Sequence, residues 1–263
     1  GAELPAILGT AAPVQNVADL KTNGFELALN WSGEINNEFK YSIGANLYNY
    51  KAKITKFNNS NNLLSQYYVG QRIDEIWGYQ ADRYYTPDDF INLNDNYVNG
   101  TLKEGIVKLE GYNPNPGDLL FKDLNNDGVI NAGNSTLDNP GDRSVIGNRS
   151  LQYQYGINGN FQYKGFSLSF NMQGILKRDL YLNNDLTNAY NYEFGTIYKH
   201  QLNYWTPSNQ MSEYPRLYIS GFRQTNHTSN YRTSTFTLLD GSYLRLQNVT
   251  LGYTINNQWI KKL

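Results

Sequence analysis

Tyr153-Gln154-Tyr155-Gly156-Ile157-Asn158-Gly159-Asn160-Phe161-Gln162-Tyr163, then Lys164-Gly165, then Phe166-Ser167-Leu168-Ser169-Phe170-Asn171-Met172 is the stretch that decides the fold. Tyr155, Ile157, Gly159, Phe161 and Tyr163 face one way, against Gln154, Asn158, Asn160 and Gln162. Beyond the turn, Phe166, Leu168, Phe170 and Met172 alternate with Ser167, Ser169 and Asn171. A period of two with one apolar side reads as an antiparallel hairpin.

The same pattern recurs on either side. Upstream, Phe25, Leu27, Leu29 and Trp31 oppose Glu26, Ala28 and Asn30; after Gly33 to Asn37, Phe39, Tyr41, Ile43, Ala45 and Leu47 oppose Lys40, Ser42, Gly44, Asn46 and Tyr48. Downstream, Leu244 and Leu246 share one parity, and Val249, Leu251 and Tyr253 the other. A β-bulge at Gln247-Asn248 accounts for that slip. Strands are therefore expected near 23–32, 38–50, 151–163, 166–176 and 242–254. Between them lie polar excursions over about 51–149 and 177–240. The first is too long to be structureless in a compact fold, so local hairpins are expected inside it.

Alternation alone fits a soluble sandwich as well as a barrel. Three further features favour the barrel. The strong strands run about 10 residues or more, enough to cross a bilayer at a tilt. Short turns at 33–37, 164–165 and 256–257 contrast with the long excursions, as in outer-membrane barrels. Aromatics flank the short turns, Trp31 with Phe39 and Tyr163 with Phe166, as in an interfacial girdle. The expected fold class is all-β: antiparallel strands of a transmembrane outer-membrane β-barrel, an incomplete segment with long extracellular loops. Phe25, Leu27, Leu29, Ile43, Leu47, Ile157, Phe161, Leu168 and Phe170 then face lipid, and Asn30, Asn46, Asn158, Asn160, Ser169 and Asn171 the lumen. The alternative is a secreted soluble β-sandwich that binds glycans; dependence on detergent separates the two.

Composition narrows the function. The net charge of −1 supplies no basic field for nucleic acid or an anionic membrane surface. Only 17% of residues are charged, yet mean hydropathy is −0.61, so polarity comes from uncharged side chains. Tyrosine stands out at 23 residues, an apolar body with a polar tip that suits interfaces and sugar-binding surfaces. No cysteine is present, which excludes disulfides and thiolate chemistry. No run of about 18 apolar residues encodes a transmembrane helix. The opening residues 1–13 lack a basic segment before their apolar stretch and are not read as a signal peptide. His200 and His227 lie in polar loop sequence without metal spacing and are expected to be solvated. Asp88-Asp89 is a weak carboxylate pair, and no nucleophile motif appears, so no catalytic residue is assigned.

Two loop features carry chemistry. Asp123, Asn125, Asp127 and Gly128 have the D-x-N-x-D-G rhythm of a calcium loop, with the Val129 carbonyl and Asn131 at its later positions. The twelfth position, usually Glu, is Asn134, and Asp138 or Asp142 must then complete the set. The same residues serve equally as Asx turns without metal. The second feature is aromatic: Trp77, Tyr79, Tyr84 and Tyr85 form one group, and Tyr190, Tyr192, Tyr198, Tyr204 and Trp205 another. Such rings stack on sugars or bury peptide side chains, and they equally pack loops against each other.

The run Gly117-Asp-Leu-Leu-Phe-Lys-Asp-Leu-Asn-Asn-Asp-Gly-Val-Ile-Asn131, then Asp142-Arg-Ser-Val-Ile-Gly-Asn148, resembles the C-terminal part of the SusC/RagA family. These are TonB-dependent outer-membrane nutrient transporters of Bacteroidetes bacteria. Asn23 to Trp31, Gly78 to Tyr85, Tyr163 to Gly174 and Ser242 to Ile255 follow the family in the same order, so the resemblance covers nearly the whole chain. It implies that residues 1–263 are a partial TonB-dependent receptor barrel domain in the outer membrane of a Gram-negative bacterium. It also implies import of oligosaccharides or peptides with a SusD-like surface lipoprotein, and energy from TonB through a part not in this chain. Trp77, Tyr79, Tyr84, Tyr85, Tyr204 and Trp205 are the expected substrate or partner contacts. In the family the aspartate before the arginine follows the Asp-rich loop closely; here Asn134 to Gly141 intervene before Asp142.

Overall fold

A computed structural model of the chain describes residues 18–190, 195–218 and 225–255. Tyr192 and the expected turn at Asn256-Asn257 lie outside the described residues. In chain order the strands are β1 (Ala18–Ile35), β2 (Phe39–Phe57), β3 (Glu75–Tyr79), β4 (Ala81–Tyr84), β5 (Phe90–Ile91), β6 (Thr101–Leu102) and β7 (Leu119–Phe121). They continue with β8 (Arg143–Asn148), β9 (Gln152–Tyr163), β10 (Phe166–Lys177), β11 (Asp179–Tyr181), β12 (Leu238–Asp240) and β13 (Tyr243–Tyr253). Among the described residues one α-helical segment, α1, spans Thr225–Asn230. No described helix is long and apolar enough to cross a membrane.

The long strands form one antiparallel sheet in the order β1-β2-β9-β10-β13. Its two tight turns lie at the same end. Asn36 and Asn37 both take positive φ, and Glu38 N–H closes onto the Ile35 carbonyl at 3.2 Å. Lys164 and Gly165 also both take positive φ, giving the two-residue turn whose twist matches its strands. Lys164 Nζ lies 3.2 Å from Glu38, so the turns stand side by side.

Register places side chains in rows, because opposed residues share a face. One face reads Ile35–Phe39–Tyr163–Phe166–Tyr253 at the turn end, then Gly33–Tyr41–Phe161–Leu168–Leu251, then Trp31–Ile43–Gly159–Phe170–Val249. It continues with Leu29–Ala45–Ile157–Met172–Leu246 and Leu27–Leu47–Tyr155–Gly174–Leu244. The other face carries Asn30–Gly44–Asn158–Asn171–Asn248 and Ser32–Ser42–Asn160–Ser169–Thr250. The slip in β13 is a bulge: Asn171 pairs with Asn248 and Met172 with Leu246, leaving Gln247 between them.

The apolar face is bare. Trp31 is 72% exposed and Leu251 74%, and among the described residues no second layer covers them. Its five rows span about 27 Å along the strands at a rise of ~3.4 Å per residue. The turn-end row is mostly aromatic, with Phe39 packing on Tyr163 and Phe166 on Tyr253 at centroid distances of 6.4 and 4.5 Å.

The buried core lies elsewhere, beyond the far end of the sheet. Tyr79, Tyr85, Phe90, Leu109, Tyr112, Leu119, Leu120, Phe121 and Ile130 cluster there. The first excursion was expected to fold into local hairpins, and only β5–β6 is of that kind. β3 pairs with β8, and β4 with β7, segments far apart along the chain. The reason is burial: Ile76, Tyr79, Leu119 and Phe121 are all shielded from water, which nearby turn-rich sequence could not achieve for them. The second excursion closes over this core, with Tyr79 N–H bonded to the Thr233 carbonyl and Thr235 N–H to the Tyr79 carbonyl, each at 3.0 Å.

Candidate functional site

The polar face of the sheet holds a groove of about 340 Å³. Asn46, Tyr48, Gln154, Asn158, Asn171 and Gln247 contribute to its lining. Tyr48 Oη donates to Gln154 Oε1 at 2.8 Å, and Asn171 Nδ2 faces Gln247 Oε1 at 3.4 Å. The bulge delivers Gln247 to this face, an example of an extra residue re-aiming a side chain. Most of the lining is uncharged, with donors and acceptors on every strand but β1. Such a surface holds water or a neutral polar solute without the desolvation cost of charge. Asn46 and Tyr48, Gln154 and Asn158, and Asn171 were each legible on the polar side of a strand; strand register groups them with Gln247 into one groove.

The aromatic residues expected at a binding surface sit mainly in the loop core. Tyr79 is buried against Phe121 at 5.2 Å, and Tyr85, 1% exposed, donates its hydroxyl to the Val107 carbonyl at 2.9 Å. Trp205, 2% exposed, lies directly on Gly117, where a Cβ would come within 2.3 Å of the indole. Gly117 also has φ +91°, so both conformation and space call for glycine there. Tyr84 is half-buried, its hydroxyl bonded to the Glu213 carbonyl at 3.0 Å and its ring edge-on to Phe236. Trp77 is half-buried and donates its indole N–H toward Tyr68 and Glu75. Tyr204 is half-buried and bridges to Tyr214. As placed, these rings bind the loops to each other.

A buried aspartate joins the two excursions. Asp118, fully shielded, accepts from Asn115 N–H and Asn226 Nδ2 at 2.7 Å each, from Asn230 Nδ2 at 2.9 Å and from Tyr218 Oη at 3.1 Å. Burial pushes its carboxyl above the ordinary range, and the donated hydrogen bonds oppose that shift. Asn230 Oδ1 in turn accepts from Leu119 N–H at 2.8 Å. Sequence reading passed over Asp118 because it is one Asp among many in loop sequence.

The histidine expectation is corrected for one residue. His200 is exposed, but His227 is buried, its Nε2 2.9 Å from the Ala189 carbonyl and its ring 5.0 Å from Tyr231. Burial lowers its pKa from the ordinary histidine value. Asp89, the weak carboxylate candidate, is held by Arg83 through two bonds of 2.6 and 2.8 Å.

At the Asp-rich loop, Asp123 accepts from Asn126 and Gly128 N–H, Asn125 from Asp127 N–H, and Asp127 from Val129 N–H. Asp142 reaches this loop despite the intervening residues. It is fully buried and accepts from Leu124 N–H at 2.8 Å and Asn131 N–H at 2.7 Å. Among the described residues, no three His, Cys, Asp or Glu side chains converge as a cation-holding group. Asp138 instead accepts from Asn62 Nδ2.

No family model matches the chain. It is 26% identical over 276 residues to TonB-dependent receptor P3 of Formosa agariphila, covering 98% of this chain and 24% of that protein. It is 25% identical over 251 residues to TonB-dependent receptor SusC of Bacteroides thetaiotaomicron, covering 95% of this chain and 22% of that protein. Among solved structures, the RagAB peptide transporter superposes with a TM-score of 0.59 at 19% identity, covering 97% of this chain and 25% of that one. The chain thus spans about a quarter of the length of the curated relatives it matches. Together with the two-faced antiparallel sheet, these matches support a segment of a SusC/RagA-type TonB-dependent transporter.

Proposed function

We propose that this chain forms part of the wall and the extracellular loops of an outer-membrane importer for oligosaccharides or peptides. A SusD-like surface lipoprotein would cap it, and TonB would drive it through a part not in this chain. The observation that carries the reading is the registered sheet, with a bare apolar face of near-bilayer height on one side and an Asn/Ser/Gln face on the other. A soluble sandwich would need a second sheet over the apolar rows. The edge strands β1 and β13 would pair with further strands of the importer, since unpaired backbone groups in hydrocarbon cost several kcal/mol each. The short turns would lie in the periplasm, so β1, β9 and β13 run inward and β2 and β10 outward. The polar groove then faces the lumen, where its amides and hydroxyls suit neutral polar solutes.

The partner is tested by photo-crosslinking in cells. Trp205 is too deeply buried to report on a partner, whereas Met211 is 94% exposed on the second excursion. A photoreactive residue at Met211 in the full-length protein is expected to capture a lipidated outer-leaflet protein. Capture of periplasmic proteins alone would invert the topology.

We also propose calcium as a structural ligand of the Asp-rich loop, on the spacing of Asp123, Asn125 and Asp127 and on the reach of Asp142 to the same loop. The Val129 carbonyl and Asn131 would complete the set. Because the carboxylates do not converge as placed, binding requires them to rotate inward, and the expected Kd is weak, ~10⁻⁴–10⁻³ M. Calcium titration should raise the resistance of this loop to proteolysis in that range. An unchanged digestion pattern would leave the Asx turns as the whole structure of the loop.

A further inference from the structure

Beyond the last apolar row, β1 and β2 continue together and their outward face changes character. Segment 70–73 takes over from β9 as the neighbour of β2: Gly70 N–H bonds the Ile54 carbonyl at 2.8 Å, and Ile73 N–H the Ala52 carbonyl at 3.0 Å. Lys21 pairs with Lys53, and Lys53 with Arg72, which sets three cations in one row across three chain segments. Lys51, opposite Asn23, lies one row closer to the apolar band. Lys21, Lys51 and Lys53 share the parity of Phe25, Leu27 and Leu47, the face read above as lipid-facing, and Arg72 joins their row through its bridge to Lys53.

Like charges directly opposite each other in a sheet are unfavourable. Among the described residues no carboxylate forms an ion pair with their side chains, although Glu75 accepts from Arg72 N–H at 3.1 Å. Among the described residues the ion pairs are Lys40–Glu34, Arg83–Asp89 and Lys164–Glu38, and none involves this row. The Arg72 guanidinium makes a long 3.4 Å contact to the neutral Gln152. A groove of about 410 Å³ opens at the row, lined by Lys21, Lys51, Lys53, Thr55 and Val69. Its height fits a headgroup layer. Lys51 lies two residues beyond the Phe25 row and Lys21 four, roughly 7 and 14 Å along tilted strands. The headgroup region extends about 5–8 Å beyond the hydrocarbon on each side, and lysine stems reach several ångströms along apolar surface.

We infer that Lys21, Lys53 and Arg72, with Lys51, bind the phosphate of an anionic glycolipid headgroup in the outer leaflet. The inference rests on the membrane-wall reading and adds a lipid site to it. The balanced net charge conceals the site, because strand register rather than composition brings these cations together.

The test uses the full-length protein in phosphatidylcholine nanodiscs containing a minor fraction of lipid A, with bound lipid quantified after re-isolation in detergent. Each cation near a lipid surface contributes roughly fivefold in binding. The triple variant Lys21→Gln/Lys53→Gln/Arg72→Gln should therefore retain lipid A on the order of a hundredfold more weakly. The control variant Lys40→Gln/Lys164→Gln, at the short-turn end, should retain it like wild type. Equal loss in the control would reduce the effect to general charge and overturn the site. Competition by inorganic phosphate at concentrations comparable to the lipid would assign the site to free phosphate instead. Wild type that inserts but holds lipid A no better than the triple variant overturns this inference alone. Wild type that fails to insert overturns the membrane reading as well.

Discussion

Ile43→Arg is expected to cost about 2–4 kcal/mol of stability in the bilayer, the penalty for a cation at the midplane of a barrel's lipid face. Ile43 occupies the middle of the five apolar rows, between Trp31 and Gly159. Leu168→Arg, one row nearer the turn end, should cost less, because the penalty falls to about 0–1 kcal/mol toward the interface. Ser42→Arg and Ser169→Arg, in one row of the polar face at a similar depth, should both cost little. Urea titration of the full-length protein refolded into vesicles measures all four. A dry protein core would penalise Ile43 and Leu168 alike; depth dependence is the mark of a membrane. Equal costs on the two faces would end the barrel assignment.

Asp118→Ala is expected to have the second large effect. It removes the acceptor of the Asn226, Asn230 and Tyr218 side chains and of Asn115 N–H in a site closed to water. A buried donor left without a partner costs about 1–3 kcal/mol, so together the loss should reach at least ~3 kcal/mol. The sheet does not depend on this network, whereas the joint between the two excursions does. Surface proteolysis of intact cells should therefore cleave the loops of the variant rapidly while the barrel band survives. Loops as resistant as those of wild type would show that the hydrophobic cluster around Tyr85 and Phe121 holds the excursions without Asp118.

What could be read from the chain, and what could not, follows from the range of the interactions. Leu168 against Ser169 and Phe161 against Asn160 are decided by adjacent positions, so the sheet and its two faces were visible as alternation. Even the Gln247 bulge showed as a change of parity. The loop core is different. Tyr79 meets Phe121, and Trp205 meets Gly117, across long stretches of polar sequence, and their apolar runs are too short for periodicity to assign. For that reason the rings were legible as a group and their burial was not. Asp142 shows the same limit. The residues inserted before it obscured its role in sequence, yet Leu124 and Asn131 N–H fix it against the loop. The grouping of Tyr48 and Gln154 into the groove and the basic row at Lys53 are likewise products of register.

The most direct test of the account is a spin-label scan along β9 in the reconstituted full-length protein, from Ile157 to Gln162. Collision with oxygen, which partitions into lipid, is compared with collision with a water-soluble nickel chelate. The account predicts a period of two, with oxygen dominant at Ile157 and Phe161 and the nickel chelate dominant at Asn158, Asn160 and Gln162. Nickel accessibility that is high on both faces, or low on both, would contradict a wall between lipid and an aqueous lumen.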